Sequence, residues 1–148
     1  MKKCIWCSKT ELDTTFRKAA HTFPQSLGGK NTCDNVCDSC NHFFGNKTEK
    51  MPSVEIALKE VLNLSKYLLL ANAGKIKSRF KSEYFDFNIK TMKVKFKMKY
   101  QLRENFQSNF ARLFRRGIYK VFLEERERLR KDAHDSRYDF IREFARYD

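Results

Sequence analysis

The sequence predicts an α+β protein in two parts: a small module built on paired cysteines over residues 1–52, and a basic extension over residues 53–148 that is mostly helical with one β-hairpin. Three observations predict it. Four of the five cysteines fall in two C-x-x-C pairs, Cys4 with Cys7 and Cys37 with Cys40. Beyond residue 53 the hydrophobic period is helical, then alternating, then helical again. The charge is lopsided: the formal net charge is +13, and between Ala73 and Lys131 stand 18 basic residues against 6 acidic ones.

Two knuckles of this spacing, joined by a loop, wrap one tetrahedral zinc through four thiolates, Cys4, Cys7, Cys37 and Cys40. Such a site carries about two negative charges, which a chain this basic tolerates. Cys33 stands four residues before Cys37 and is left free. After the first knuckle, Ser8 to Thr15 reads as a polar turn and Phe16 to Phe23 as a short strand. His21 lies near the end of that strand, just before Pro24. Ser26-Leu-Gly-Gly-Lys supplies a turn, Asn31 to Val36 a return strand, and from Cys40 onward Asn41, Phe43, Phe44 and Lys47 read as a helix whose first turn holds the last zinc ligand.

CIWC at 4–7, His21-Thr-Phe-Pro-Gln-Ser-Leu-Gly-Gly, and Asn35-Val-Cys-Asp-Ser-Cys-Asn41 together resemble the HNH endonucleases, the ββα-metal nucleases, in the subgroup with a four-cysteine zinc. The resemblance covers about the first third of the chain. It implies phosphodiester hydrolysis in which His21 is the general base that activates water, Asn35 orients its imidazole, and Asn41 is a ligand of a catalytic divalent metal such as Mg²⁺, separate from the structural zinc. The chemistry is consistent: a neutral imidazole accepts a proton near neutral pH once a partner fixes its free nitrogen, and Mg²⁺ prefers oxygen donors. One position departs from the family pattern. The metal-binding acid that precedes the histidine, by one residue or two, is replaced by Ala20 and Ala19. Three explanations stay open: natural loss of activity, replacement by Asp34, Asp38 or His42, or deliberate inactivation.

The extension reads by pattern alone. Ser53 caps a helix to about Asn72, with Val54, Leu58, Val61, Leu62 and Leu69 on one face and Gly74 as its stop. Two strands follow, Tyr84 to Ile89 and Met92 to Tyr100. In the second, Lys93, Lys95, Lys97 and Lys99 alternate with apolar residues, which sets four ammonium groups on one face at ~6.6–6.8 Å intervals, close to the spacing of phosphates along a strand. From Arg103 the period is helical, with Phe106, Phe110, Leu113, Phe114, Ile118, Val121 and Phe122 as a packing stripe flanked by Arg112, Arg115 and Arg116. Glu124 to Lys131 mixes signs and reads as a solvated face. Asp135-Ser136 caps a last amphipathic segment, which offers a face to a protein partner or a second copy.

This helix–hairpin–helix extension calls for a polyanionic partner, nucleic acid and most readily duplex DNA. The seven basic side chains Lys93, Lys95, Lys97, Lys99, Arg112, Arg115 and Arg116 are the expected phosphate contacts. No membrane span is expected, since the longest apolar run is Tyr67 to Ala71 against the ~20 residues a span needs. Met-Lys-Lys leads straight into a knuckle with no apolar region behind it, so a cytoplasmic, reducing setting is expected. The alternative to a nuclease is a non-catalytic nucleic-acid-binding or assembly subunit that keeps the zinc scaffold.

Overall fold

The computed structural model describes residues 1–76 and 78–148, a mixed helix-and-strand α+β chain. The first knuckle is a tight loop in which Ser8 N–H donates to the Cys4 carbonyl at 2.9 Å and Cys4 N–H to the Lys9 carbonyl at 2.8 Å. An antiparallel hairpin follows, β1 (Ala20–His21) against β2 (Thr32–Cys33), with Ala20 opposite Cys33 and His21 opposite Thr32. Both strands are shorter than the sequence predicts. From Thr15 to Lys18 the chain is held by one side chain instead of a ladder: the Asp38 carboxylate accepts from Arg17 N–H at 3.0 Å, Lys18 N–H at 2.8 Å and the Thr15 hydroxyl. Those donors are then unavailable for strand pairing. The hairpin turn requires glycine at 29, where a Cβ would lie 2.1 Å from the Phe23 carbonyl oxygen. Helix α1 (Asp38–Gly45) carries Cys40, and its Phe44 meets Trp6 of the first knuckle edge-on at 4.9 Å.

Helix α2 (Val54–Asn72) begins as predicted, with Ser53 accepting from Ile56 N–H at 3.0 Å. Its buried residues are Val54, Ala57, Leu58 and Leu64, whereas Leu69 is 73 % exposed, so the predicted apolar stripe is left uncovered at Leu69 near the helix end. Strands β3 (Phe85–Asn88) and β4 (Lys93–Phe96) pair with Phe85 opposite Phe96 and Asp86 opposite Lys95. The predicted second strand stops short. Lys97 makes the last ladder bond, its N–H to the Tyr84 carbonyl at 2.9 Å, and the chain then turns into a short helix α3 (Met98–Gln101). This turn carries Tyr100 into the core, where its ring stacks on Phe106 at 4.5 Å. The four-lysine row is therefore reduced to Lys93 and Lys95 on a strand, because Lys97 and Lys99 belong to the turn.

Helix α4 (Phe106–Arg130) is the long central element. It crosses α2 at Gly117, where a Cβ would lie 2.8 Å from that of Leu58. Phe106 and Phe110 enter a core with Ala57, Leu64, Tyr84, Phe85 and Tyr100, while Ile118 and Phe122 farther along the stripe are each nearly half exposed. The predicted solvated face is overturned: Glu124 and Glu127 are buried, together with Lys120. A helical period sets 120, 123, 124 and 127 on one face, and that face presses beneath the β1–β2 hairpin.

The last residues fold back on the chain itself. Asp135 accepts from Arg137 N–H at 3.0 Å, then α5 (Asp139–Arg142) runs into a π-helical turn, Glu143–Tyr147. Ile141 and Ala145, on the face that the sequence offers to a partner, are buried in the same core cluster as Ile5, Trp6, Val36 and Phe44, and Leu123 of α4 joins them there. No helix among the described residues is long and apolar enough to cross a membrane.

Candidate metal centre and the His21 face

The two knuckles converge. The four sulfurs of Cys4, Cys7, Cys37 and Cys40 all lie within 4.8 Å of one another, and the Cys7–Cys37 separation is 3.7 Å. A tetrahedron of ~2.3 Å Zn–S bonds has edges of ~3.8 Å, so the donor set fits zinc. The thiols also act on one another. The hydrogen bond from the Cys40 thiol, aided by Cys37 N–H, draws Cys4 down to about 4, and Cys40 is correspondingly pushed far up. Burial pushes Cys7 up to about 11. Such a cluster resists losing all its protons until a dication takes their place. Arg146 donates its Nε–H to the Cys40 sulfur at 3.5 Å and adds a compensating cation. Cys33 stands outside the cluster as predicted, and burial followed by the Glu124 charge holds its thiol up at about 12.

The His21 face is built by alternation along β1. Ala20 and Thr22 are buried, Ala19 is exposed and His21 is half-buried, so 19 and 21 share the outward face while 20 points into the core opposite Cys33. Asn35, the residue expected to orient His21, is held from α4 through its amide nitrogen. The Asn35 amide donates to Glu127 Oε1 at 2.6 Å, and the His21 imidazole has no hydrogen-bond partner among the described residues. Asn41 follows Cys40 on α1 and is half-buried, Asp34 and His42 are exposed, and Asp38 is committed to the 15–18 loop. Among the described residues the four cysteines are the one group of three or more Cys, His, Asp or Glu close enough to share an ion.

Beneath the hairpin lies a network that the sequence does not reveal. Lys120, 2 % exposed, donates from Nζ to the His21 carbonyl at 2.9 Å and to Glu124 Oε2 at 2.8 Å, with Glu55 Oε1 at 3.3 Å. Trp6 Nε1–H donates to the other Glu124 oxygen at 3.1 Å, and the Thr22 hydroxyl donates to Glu125. Burial alone would lower the Lys120 pKa, but Glu124 and Glu55 outweigh it and raise it. Burial also raises Glu124, to about 7, against the pull of Lys120 and Trp6. The available signal was the i, i+4, i+7 spacing of 120, 124 and 127 around Leu123, which a solvated helix shares.

The basic side chains fall into two places. Lys93 and Lys95 are exposed on the hairpin's outer face, where Asp86 sits opposite Lys95; Lys97 precedes α3, and Lys99 Nζ lies 4.8 Å from the Tyr100 ring. Arg112, Arg115 and Arg116 gather around Phe144 of the π-helical turn, far along the sequence from the hairpin.

Residues 4–53 match the model of the HNH endonuclease family, a span that begins at the first zinc cysteine and ends at the α2 cap. A search of the curated proteins and one of the solved structures each returned no match.

Proposed function

We propose that this chain uses its HNH module and basic extension to bind nucleic acid, most readily duplex DNA, and that its capacity for phosphodiester hydrolysis is limited by the missing acid beside His21. The observation that carries the reading is the composition of the outward face of β1. His21 stands there with an imidazole that has no hydrogen-bond partner among the described residues, the group suited to accept a proton from water, and its neighbour on that face, Ala19, offers no oxygen. A divalent ion would supply charge stabilisation at the phosphate, and Asn41 is its expected ligand. A neutral amide attracts such an ion weakly without a carboxylate. Lys120 fixes the backbone of His21 from below, and Glu127 holds Asn35, so the hairpin is ordered from the extension.

The test is Mg²⁺-dependent cleavage of saturating duplex DNA by the zinc-loaded chain. The expected result is little cutting by the unmodified protein, a gain on Ala19→Glu, and loss of that gain when His21→Ala is added. Ala20→Asp is expected to give no gain, since it introduces a charge into the core. Efficient cutting by the unmodified chain that Ala19→Glu leaves unimproved overturns the reading and makes Asp34 or His42 the ligand to test, Asp38 being engaged elsewhere.

A further inference from the structure

Three guanidinium groups converge on one ring. The guanidinium carbons of Arg112, Arg115 and Arg116 lie 5.5, 5.9 and 5.8 Å from the centroid of Phe144. On α4 they stand at i, i+3 and i+4, the spacing at which like charges repel. Only one carboxylate answers them, Asp148, which pairs with Arg112; Arg115 and Arg116 have no acidic partner among the described residues. The Arg116 Nε–H is covered and has no acceptor among the described residues. Burial, and then the charge of Arg112, hold the Arg116 pKa below its ordinary value. A protein that merely needed a soluble surface would not press three cations onto a shared ring with a single counter-charge.

We infer that Arg112, Arg115 and Arg116 form a binding site for one phosphate group, seated where α4 meets the π-helical turn and preorganised by Phe144. Cation–π attraction to the shared ring gathers the three guanidiniums at one place, and the N–H groups not engaged by Asp148 suit bidentate recognition of phosphate oxygens. The phosphate belongs either to a nucleic-acid backbone or to a small soluble anion. In the first case the site deepens the nucleic-acid reading above; in the second it stands without it. Asp148 then competes with the phosphate for Arg112.

The experiment uses the zinc-loaded full chain with two probes, inorganic phosphate followed through the arginine Nε–H NMR resonances, and a labelled DNA duplex followed by anisotropy across a salt series. Arg115→Gln/Arg116→Gln is compared with Arg130→Gln, which removes an exposed cation elsewhere on α4. The expected result is a saturable shift of the Arg115 and Arg116 resonances with phosphate, lost in the double variant. Duplex affinity should fall about tenfold or more, with the salt slope smaller by roughly 0.9 per lost contact, against a minor change for Arg130→Gln. Asp148→Asn should strengthen binding of the same probe, a gain that a partly unfolded protein cannot show. A phosphate response without duplex binding by the parent chain keeps the site and sinks the nucleic-acid reading. Duplex binding that the double variant and Arg130→Gln alter equally, with no saturable phosphate shift, overturns the site and leaves that reading intact. No response to either probe overturns both.

Discussion

At Lys120 a nearly inaccessible ammonium group meets two carboxylates and a carbonyl, and each of those partners sits on a different part of the chain. Removing one member of such a set leaves the others buried and uncompensated. Lys120→Met should therefore cost about 3–5 kcal/mol in chemical denaturation. Its Glu124 partner gives a pH signature with a definite sign. Its carboxyl pKa is raised from 4.5 to about 7 in the folded protein, so folding binds a proton between those values. The favourable contribution of the protonated form is complete below pH 4.5 and is lost as pH rises through 7. Glu124→Gln imitates the protonated form, so its cost relative to the parent should shrink from pH 5 to pH 7.5. A cost that grows over that interval would contradict the assignment. None of this was legible beforehand, because mixed charges at i, i+4 and i+7 look the same whether they face water or a hairpin packed over them.

Among the elements, the α2–α4 crossing is set by the smallest residue available. Gly117→Ala gains helix propensity of at most about 1 kcal/mol, while its methyl must displace Leu58. The expected net effect is destabilisation by about 1–2 kcal/mol, reduced when Leu58→Ala is present, which a double-mutant cycle measures. The hairpin invites a second test. With Lys93 and Lys95 alone on the outer face of β4, Lys93→Gln/Lys95→Gln should lower the salt slope of DNA binding, and Lys97→Gln/Lys99→Gln should lower it less. Equal slopes for both pairs would show that strand geometry does not matter. The sequence placed the β3–β4 hairpin, α2 and α4 because their periods are strong. It missed the end of β4, since alternation continues through Lys97-Met-Lys-Tyr although Tyr100 is claimed by the ring of Phe106.

Of the two core clusters in the molecule, one is drawn from both ends of the chain: knuckle residues Ile5 and Trp6, Val36 and Phe44 of the module, Leu123 of α4, and Ile141 and Ala145 near the C-terminus. Zinc is thus expected to support more than the first third. Chelation, or Cys40→Ser, should lower the melting temperature of the whole chain and loosen its C-terminal segment, whereas Cys33→Ser should keep one zinc per chain, as metal analysis with hydrogen exchange would show. Loss of the first 50 residues' protection alone would mean that the shared core is weak. The zinc cysteines were legible because thiolate spacing is a local code. The Arg146 hydrogen bond to Cys40 was not, because nothing local links positions 106 residues apart.

That separation also orders events during synthesis. Cys40 leaves the ribosome well before Arg146, by roughly 5–20 s at elongation rates of about 5–20 residues per second. The knuckles are therefore complete, and able to take up metal, while the segment that covers Cys40 is still untranslated. Metal loading is therefore expected first and closure second. Nascent chains stalled before Ile141 should hold zinc yet surrender it to a chelator faster than released chains do.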